Sequence, residues 1–228
     1  MSARKPASEA TARRNREAAA ALPADGGEDL TEAERGLVAR FEPARVESAD
    51  GRVVWDLDSY SFLGEEPPET AHPSLWRQSR LNRIAGLFEM APGFYQLRGF
   101  DLSNMHVVEG EEGIVVIDPL ISAETAAAAL ALYREHRGER PVTGLVYTHS
   151  HIDHFGGAAG IVSPEEVAER GIPVLAPEGF LHHAVSENVY AGNAMTRRAM
   201  FMYGDRLPKA PDGQIGRASC RERVFRTV

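Results

Sequence analysis

The chain has almost no cysteine. Cys220 stands alone among 228 residues, which excludes an internal disulfide framework. No apolar run approaches the length of a membrane span. The stretch from Met1 to Leu30 is rich in Ala, Arg and Glu, and it lacks the apolar segment of a secretory signal. The expected location is therefore the cytoplasm. Basic charge is also in short supply: Lys and Arg total 25 against 33 Asp and Glu, a net charge of 25 − 33 = −8. With no basic cluster interleaved with aromatics, no nucleic-acid partner is expected. Histidine is scarce late in the chain, where only His182 and His183 follow His154. What remains is ordinary for a globular protein, with 43% hydrophobic residues and a length that allows one or two domains.

Pattern along the chain predicts α/β structure. Residues 1–30 read as a disordered leader, low in large apolar side chains and broken by Pro23 and Gly26-Gly27. Thr31 and Glu34 form a capping-box pattern that opens a helix through Phe41. Val53 to Leu57 reads as a strand, and Ser74 to Ile84 as a helix burying Leu75, Trp76, Leu81 and Ile84. Two hairpins follow, Leu87–Met90 with Phe94–Arg98 and Met105–Val108 with Ile114–Ile117. Ile114 to Ile117 is apolar throughout, as in a strand buried on both faces. Ser122 caps a helix over Ala123 to His136, Leu145 to Thr148 is the next strand, and a helix spans Pro164 to Arg170. A short strand covers Pro173 to Ala176, and Glu178 to Tyr203 is largely helical. Hairpins followed by a β-α-β unit predict a mixed sheet with flanking helices.

The run His149-Ser150-His151-Ile152-Asp153-His154 puts four potential metal ligands into six positions, directly after a strand. Imidazoles and a carboxylate suit Zn²⁺ and similar ions. His149 and His151 point the same way if the chain stays extended, and would hold one metal. Asp153 and His154 follow a turn and would hold a second. Gly156 and Gly157 let the backbone turn without a Cβ in the way.

This H-x-H-x-D-H pattern resembles the signature of the metallo-β-lactamase superfamily. Flanking segments resemble its alkyl sulfatase branch: Gly51 to Leu57, Pro73 to Gln78, Leu87-Phe88-Glu89, Arg98 to Met105 and Glu187 to Met195. The resemblance covers Leu30 to Gln214. It implies a four-layer αβ/βα sandwich with metals at one edge of its sheets. This chain would supply the N-terminal half, as residues 31–214. It also implies two Zn²⁺ ions per complete site, hydrolysis of an alkyl sulfate to alcohol and sulfate by activated water, homodimers among full-length relatives, and export of some of them. Residues 215–228 read as a non-native tail, since Ile215 to Val224 resembles translated sequencing-library adapter. Relatives draw further carboxylates, a last histidine and sulfate-binding residues from regions this chain lacks. Asp205 and Asp212 follow no strand-like run. Two rival readings stay open: another hydrolase of the superfamily, acting on a lactone, thioester or β-lactam, and a non-catalytic fragment.

The resemblance gives catalytic roles to Asp153 and His154. It implies an orienting role beneath the metal loop for Asp118, which otherwise is a turn or capping residue. Thr148 and Ser150 would steady the loop. Asn188, Tyr190, Asn193 and Arg197 either contact an anionic headgroup or form a solvated helix face. Phe100, Leu102, Met105 and Phe155 either line a path for an alkyl chain or pack in the core.

Overall fold

Alternating apolar and polar residues in the middle of the chain resolve into a seven-stranded sheet in the computed structural model, which describes residues 6–23, 27–204 and 206–215. Two units divide the chain. The larger spans Arg35–Leu57 and Ala85–Met195. Its strands are β1 (Leu37–Arg40), β2 (Arg45–Glu47), β3 (Val53–Asp56), β4 (Gly86–Ala91), β5 (Phe94–Arg98), β6 (Met105–Glu109), β7 (Ile114–Ile117), β8 (Val142–Val146) and β9 (Val174–Leu175). The main sheet has the order β1-β4-β5-β6-β7-β8-β9, and β2 pairs with β3 separately. Strands β1 through β7 run antiparallel to their neighbours, while β7, β8 and β9 are parallel. The parallel step needs a crossover, and the expected helix supplies it as α4 (Ala123–Arg137). Ser122 caps α4 by accepting from the Thr125 backbone N–H at 3.2 Å.

The core lies where α4 meets one face of this sheet. Leu87, Tyr95, Leu97, Met105, Val107, Val116 and Leu145 pack there with Ala126, Ala129, Leu130 and Tyr133. Ile114 and Val116 are fully buried, but Val115 and Ile117 only half so, which corrects the expectation of a strand buried on both faces. Phe100 and Met105 are wholly inside this core, so they pack rather than line a path. The Tyr133 hydroxyl donates to Glu109 Oε1 at 2.8 Å, and Arg137 pairs with the same carboxylate at 3.1 Å. Tyr133→Phe loses that bond while Glu109 keeps its arginine. The expected cost is about 1 kcal/mol, read as a lower urea midpoint at unchanged slope.

The sheet's other face carries a polar line at β4, β5 and β6. Arg98 lies 3.9 Å over the Phe88 ring and donates to Gln96 Oε1 at 2.5 Å, and Gln96 meets His106 Nε2 at 2.7 Å. Burial brings the Arg98 guanidinium down to about 10 and holds His106 below its ordinary range.

The second unit comprises Met1–Glu34, Asp58–Ile84 and Thr196–Val228, of which its described residues are largely helical. The expected disordered leader is corrected here. Residues Glu9–Ala21 form helix α1, because Ser8 caps an alanine-rich run by accepting from Thr11 N at 3.2 Å. Arg16 pairs with Glu69, and Asn15 Nδ2 donates to the Glu69 carbonyl at 2.9 Å. The capping box is corrected too. Helix α2 runs Glu28–Glu34, Thr31 lies inside it with its hydroxyl on the Gly27 carbonyl at 3.1 Å, and the chain then becomes β1. Helix α3 (Pro73–Asn82) buries Trp76, whose Nε1 donates to the Gly64 carbonyl at 2.8 Å, but leaves Leu75 exposed.

Beyond β8 come α5 (Pro164–Arg170), α6 (Phe180–Val185), a π-helix (Ser186–Tyr190) and α7 (Gly192–Tyr203). No described helix is long and apolar enough to cross a membrane. The expected tail, apart from Ile215, lies outside the described residues, as does Asp205.

Candidate metal centre

Strands β7 and β8 are parallel neighbours, so the loops that follow them leave the sheet at the same edge. The loop after β7 carries Asp118 and the loop after β8 carries Thr148 to His154. Asp118 sits in the left-handed region with φ 55°, which aspartate tolerates better than most residues, and Leu120 follows at φ 63°. Asp118 N donates to the Val146 carbonyl at 2.9 Å, which extends the ladder one step and aims the carboxylate at the neighbouring loop.

That carboxylate organises the metal loop. Asp118 Oδ1 accepts from Thr148 N at 2.8 Å, and Oδ2 accepts from the Thr148 hydroxyl at 2.6 Å and meets His154 Nδ1 at 2.8 Å. The Thr148 hydroxyl has one proton, and it goes to Asp118. Its 2.9 Å contact with His149 Nδ1 therefore runs the other way, with the imidazole donating. Both His149 and His154 then carry their proton on Nδ1 and leave a lone pair on Nε2.

The three imidazoles cluster, with His149 centred 4.1 Å from His154 and 4.6 Å from His151. Among the described residues, donor atoms of Asp118, His149 and His154 come within 4.8 Å of one another. Asp118 already accepts three hydrogen bonds. Asp153 is 7% exposed, and its Oδ2 is buried with no hydrogen-bond partner, 3.6 Å from His154 Nε2. A buried carboxylate oxygen left unsatisfied 3.6 Å from an imidazole nitrogen fits a cation. Burial, then the neighbouring His154 and His151, hold His149 below the ordinary histidine range. Burial presses His154 down as well, but the Asp118 hydrogen bond and the Asp153 charge outweigh it and leave His154 raised. Burial likewise pushes Asp118 up, and its bonds to His154 and Thr148 more than reverse that.

Support from behind was not foreseen. Asp101 is 2% exposed and accepts from Ser103 N at 3.0 Å, Ile121 N at 2.9 Å and the Thr125 hydroxyl at 2.8 Å. Ser103 Oγ in turn donates to the Asp153 carbonyl. Burial raises the Asp101 carboxyl against those bonds. The local signal was an Asp followed two residues on by Ser, the pattern of an Asx turn. A second unforeseen group is Glu187, whose Oε2 accepts from Ser150 Oγ at 3.2 Å and stands 3.7 Å from His151 Nε2.

Gly156 and Gly157 pack where no side chain fits. A Cβ on Gly156 would stand 2.4 Å from the Ile121 carbonyl, and one on Gly157 would stand 2.1 Å from the Pro119 carbonyl. Neither has positive φ, so the requirement is close backbone approach.

The remaining expected residues are scattered. Asn188 Nδ2 donates to the Ala184 carbonyl at 2.8 Å and reaches the Ser150 carbonyl at 3.5 Å. Tyr190 is 85% exposed, and Asn193 and Arg197 are exposed on α7. Leu102 is half-buried. Phe155 joins Tyr147 and Phe180 in an aromatic cluster, at centroid distances of 6.0 and 5.1 Å.

Residues 98–219 match the metallo-beta-lactamase superfamily. A linear primary-alkylsulfatase of Pseudomonas sp. is 48% identical over 214 residues, which are 93% of this chain and 32% of that protein. An (R)-specific secondary-alkylsulfatase of Pseudomonas sp. is 48% identical over 212 residues, 92% of this chain and 32% of its own. The solved structure of the stereoselective inverting sec-alkylsulfatase Pisa1 from Pseudomonas sp. superposes with a TM-score of 0.85 at 49% identity, covering 91% of this chain and 33% of that one. The chain thus spans about a third of the length of the curated relatives it matches.

Proposed function

Because this chain belongs to the metallo-beta-lactamase superfamily, we propose that its loop from His149 to His154 holds the metals of an alkyl sulfate ester hydrolase. In this reading His149 and His151 serve one Zn²⁺, and Asp153 and His154 a second. One observation carries it: the hydrogen bonds of Thr148 and Asp118 take Nδ1 of His149 and His154, and His154 Nε2 stands 3.6 Å from an unsatisfied buried oxygen of Asp153. Zinc held by these residues would supply Lewis acidity, activating water near neutral pH and offsetting negative charge on the sulfate.

The chain's own residues do the rest. Asp118 and Thr148 keep the imidazoles correctly turned, with Nδ1 occupied. Ser103 fixes the backbone at Asp153. The tyrosine–phenylalanine cluster behind Phe155 excludes water from one side of the loop. Asn188, Tyr190, Asn193 and Arg197 are candidates for the anionic headgroup, arginine being well suited to oxyanions. The substrate class rests on the alkylsulfatases, which share this sequence around the motif and not only within it.

A second reading has its own support. Four donors from one loop do not fill two tetrahedral zinc sites. By itself the loop is then a metal-binding element of a larger site, without turnover.

The test is metal content and sulfate release together. Purified chain is loaded with zinc, dialysed and assayed with dodecyl sulfate, a lactone and a β-lactam. Retained zinc with sulfate release, and no turnover of the other two, is the expected result. Retained zinc without turnover selects the second reading. No retained metal, or unchanged hydrolysis after His151→Ala with Asp153→Ala, sinks the proposal.

A further inference from the structure

Each metal-binding histidine needs a partner on the ring nitrogen that does not face the metal. His154 has Asp118 at 2.8 Å and His149 has Thr148 at 2.9 Å, both on Nδ1. His151 differs. It precedes a short 3₁₀ turn (Ile152–His154), its ring is more exposed than the other two, and the acidic group beside it stands on the Nε2 side. That group is Glu187, 37 residues downstream of Ser150 in sequence.

We propose that Glu187 is the positioning residue of His151, its carboxylate taking the Nε2 side of the imidazole so that Nδ1 is presented to the metal. This rests on the metal-site reading above and adds to it a residue from outside the motif.

Three observations converge. The Glu187 carboxylate is anchored rather than free to swing, since Oε2 accepts from Ser150 Oγ at 3.2 Å. The same oxygen stands 3.7 Å from His151 Nε2, beyond a hydrogen bond but within reach of one small side-chain rotation. The backbone that delivers it is a π-helix over Ser186–Tyr190, closed by Ala191 N on the Ser186 carbonyl at 2.9 Å. A π-turn inserts one residue into a helix, and so turns one side chain away from the face that α-geometry would give it. Asn188 strengthens the docking by reaching the Ser150 carbonyl at 3.5 Å. One stretch of two residues, Glu187-Asn188, therefore grips Ser150 by side chain and main chain, next to His151.

Ser150 lies between two ligands yet points to a carboxylate on a different element. If Glu187 only held the loop, its amide analogue would serve equally, because glutamine also accepts from a serine hydroxyl. If it polarises and orients His151, the charge matters.

The full chain is compared as wild type, Glu187→Gln and Glu187→Asp. Zn²⁺ affinity is measured by competition with a chromophoric chelator. The His151 tautomer is read by two-bond ¹⁵N–¹H NMR of the metal-free protein. Far-UV circular dichroism confirms the fold, which an exchange at this half-exposed side chain leaves intact. We expect His151 protonated on Nε2 in the wild type and a mixture of tautomers in Glu187→Gln. Zinc affinity falls about tenfold in that variant, and Glu187→Asp recovers part of the loss. Equal affinity and the same tautomer in wild type and Glu187→Gln overturn the inference while leaving the metal site in place. A wild-type chain that binds no zinc overturns both.

Discussion

Asp118→Ala should cost the chain on the order of 100-fold or more in zinc affinity, the upper end for an outer-sphere partner. The size follows from what the carboxylate does. It accepts the Thr148 backbone N–H, the Thr148 hydroxyl and His154 Nδ1, and through Thr148 it also sets His149. Alanine releases two imidazoles at once. Asp118→Asn is the more searching variant. Its amide group can still accept from Thr148 N through the oxygen, but its NH₂ then faces Thr148 Oγ and His154 Nδ1. His154 relieves the clash of donors by moving its proton to Nε2, the nitrogen the metal requires. The asparagine variant is therefore expected to bind zinc nearly as poorly as the alanine one, while folding as the wild type does. Chelator competition reads the first and thermal melting the second. An affinity for Asp118→Asn within threefold of wild type would show that the carboxylate acts by shape alone.

Gly157→Val is expected to unfold the protein or destabilise it by about 3 kcal/mol or more, the upper range for overpacking. A Cβ there meets the Pro119 carbonyl at 2.1 Å, the Ser122 carbonyl at 2.6 Å and Ala126 Cβ at 2.8 Å. Two of the three are backbone atoms of the turn that enters α4, and they cannot yield singly. Gly171→Ala makes the contrast. Gly171 ends α5 with φ 62° and open space around its Cβ position, so alanine there bears only the left-handed penalty of about 1 kcal/mol. Urea midpoints for the two variants should rank accordingly. Equal losses would refute the account of Gly157 as a contact between two backbones.

Short-range chemistry made much of this legible in the sequence. The hairpins, the Ser122 cap and the alanine- and leucine-rich run of α4 are local signals, and each appears where expected. So is H-x-H-x-D-H, whereas Asp118 at its strand end is singled out through the family resemblance and otherwise reads as a turn or capping residue. The misses share a cause. The β1 segment has four residues, too few for period two to show, and its pairing with β4 is nearly fifty residues away. The Thr31–Glu34 box fits a helix start equally well as a helix interior, and the helix had already begun at Glu28. In α1 the small side chains that suggested disorder are also the strongest helix formers once Ser8 supplies a cap. Glu187 reads as one surface acid among many, because its neighbour His151 is brought to it only by the fold. Phe100 and Met105 had two open fates that composition could not separate, and burial decided for the core.

The seam between the Pro119–Ala123 turn and the Gly156–Gly160 loop has a bearing on where this scaffold can vary. Where carbonyl oxygens crowd positions that can hold no Cβ, as at Gly156, Gly157 and Gly160, mutation has nothing to work with. That flank is frozen by sterics, whatever the substrate. Novelty enters more readily where Leu181, Val189 and Tyr190 stand largely in solvent and can be exchanged without crowding a neighbour. A lineage built on this scaffold can then exchange its exposed side chains while the seam behind the histidine loop keeps its shape.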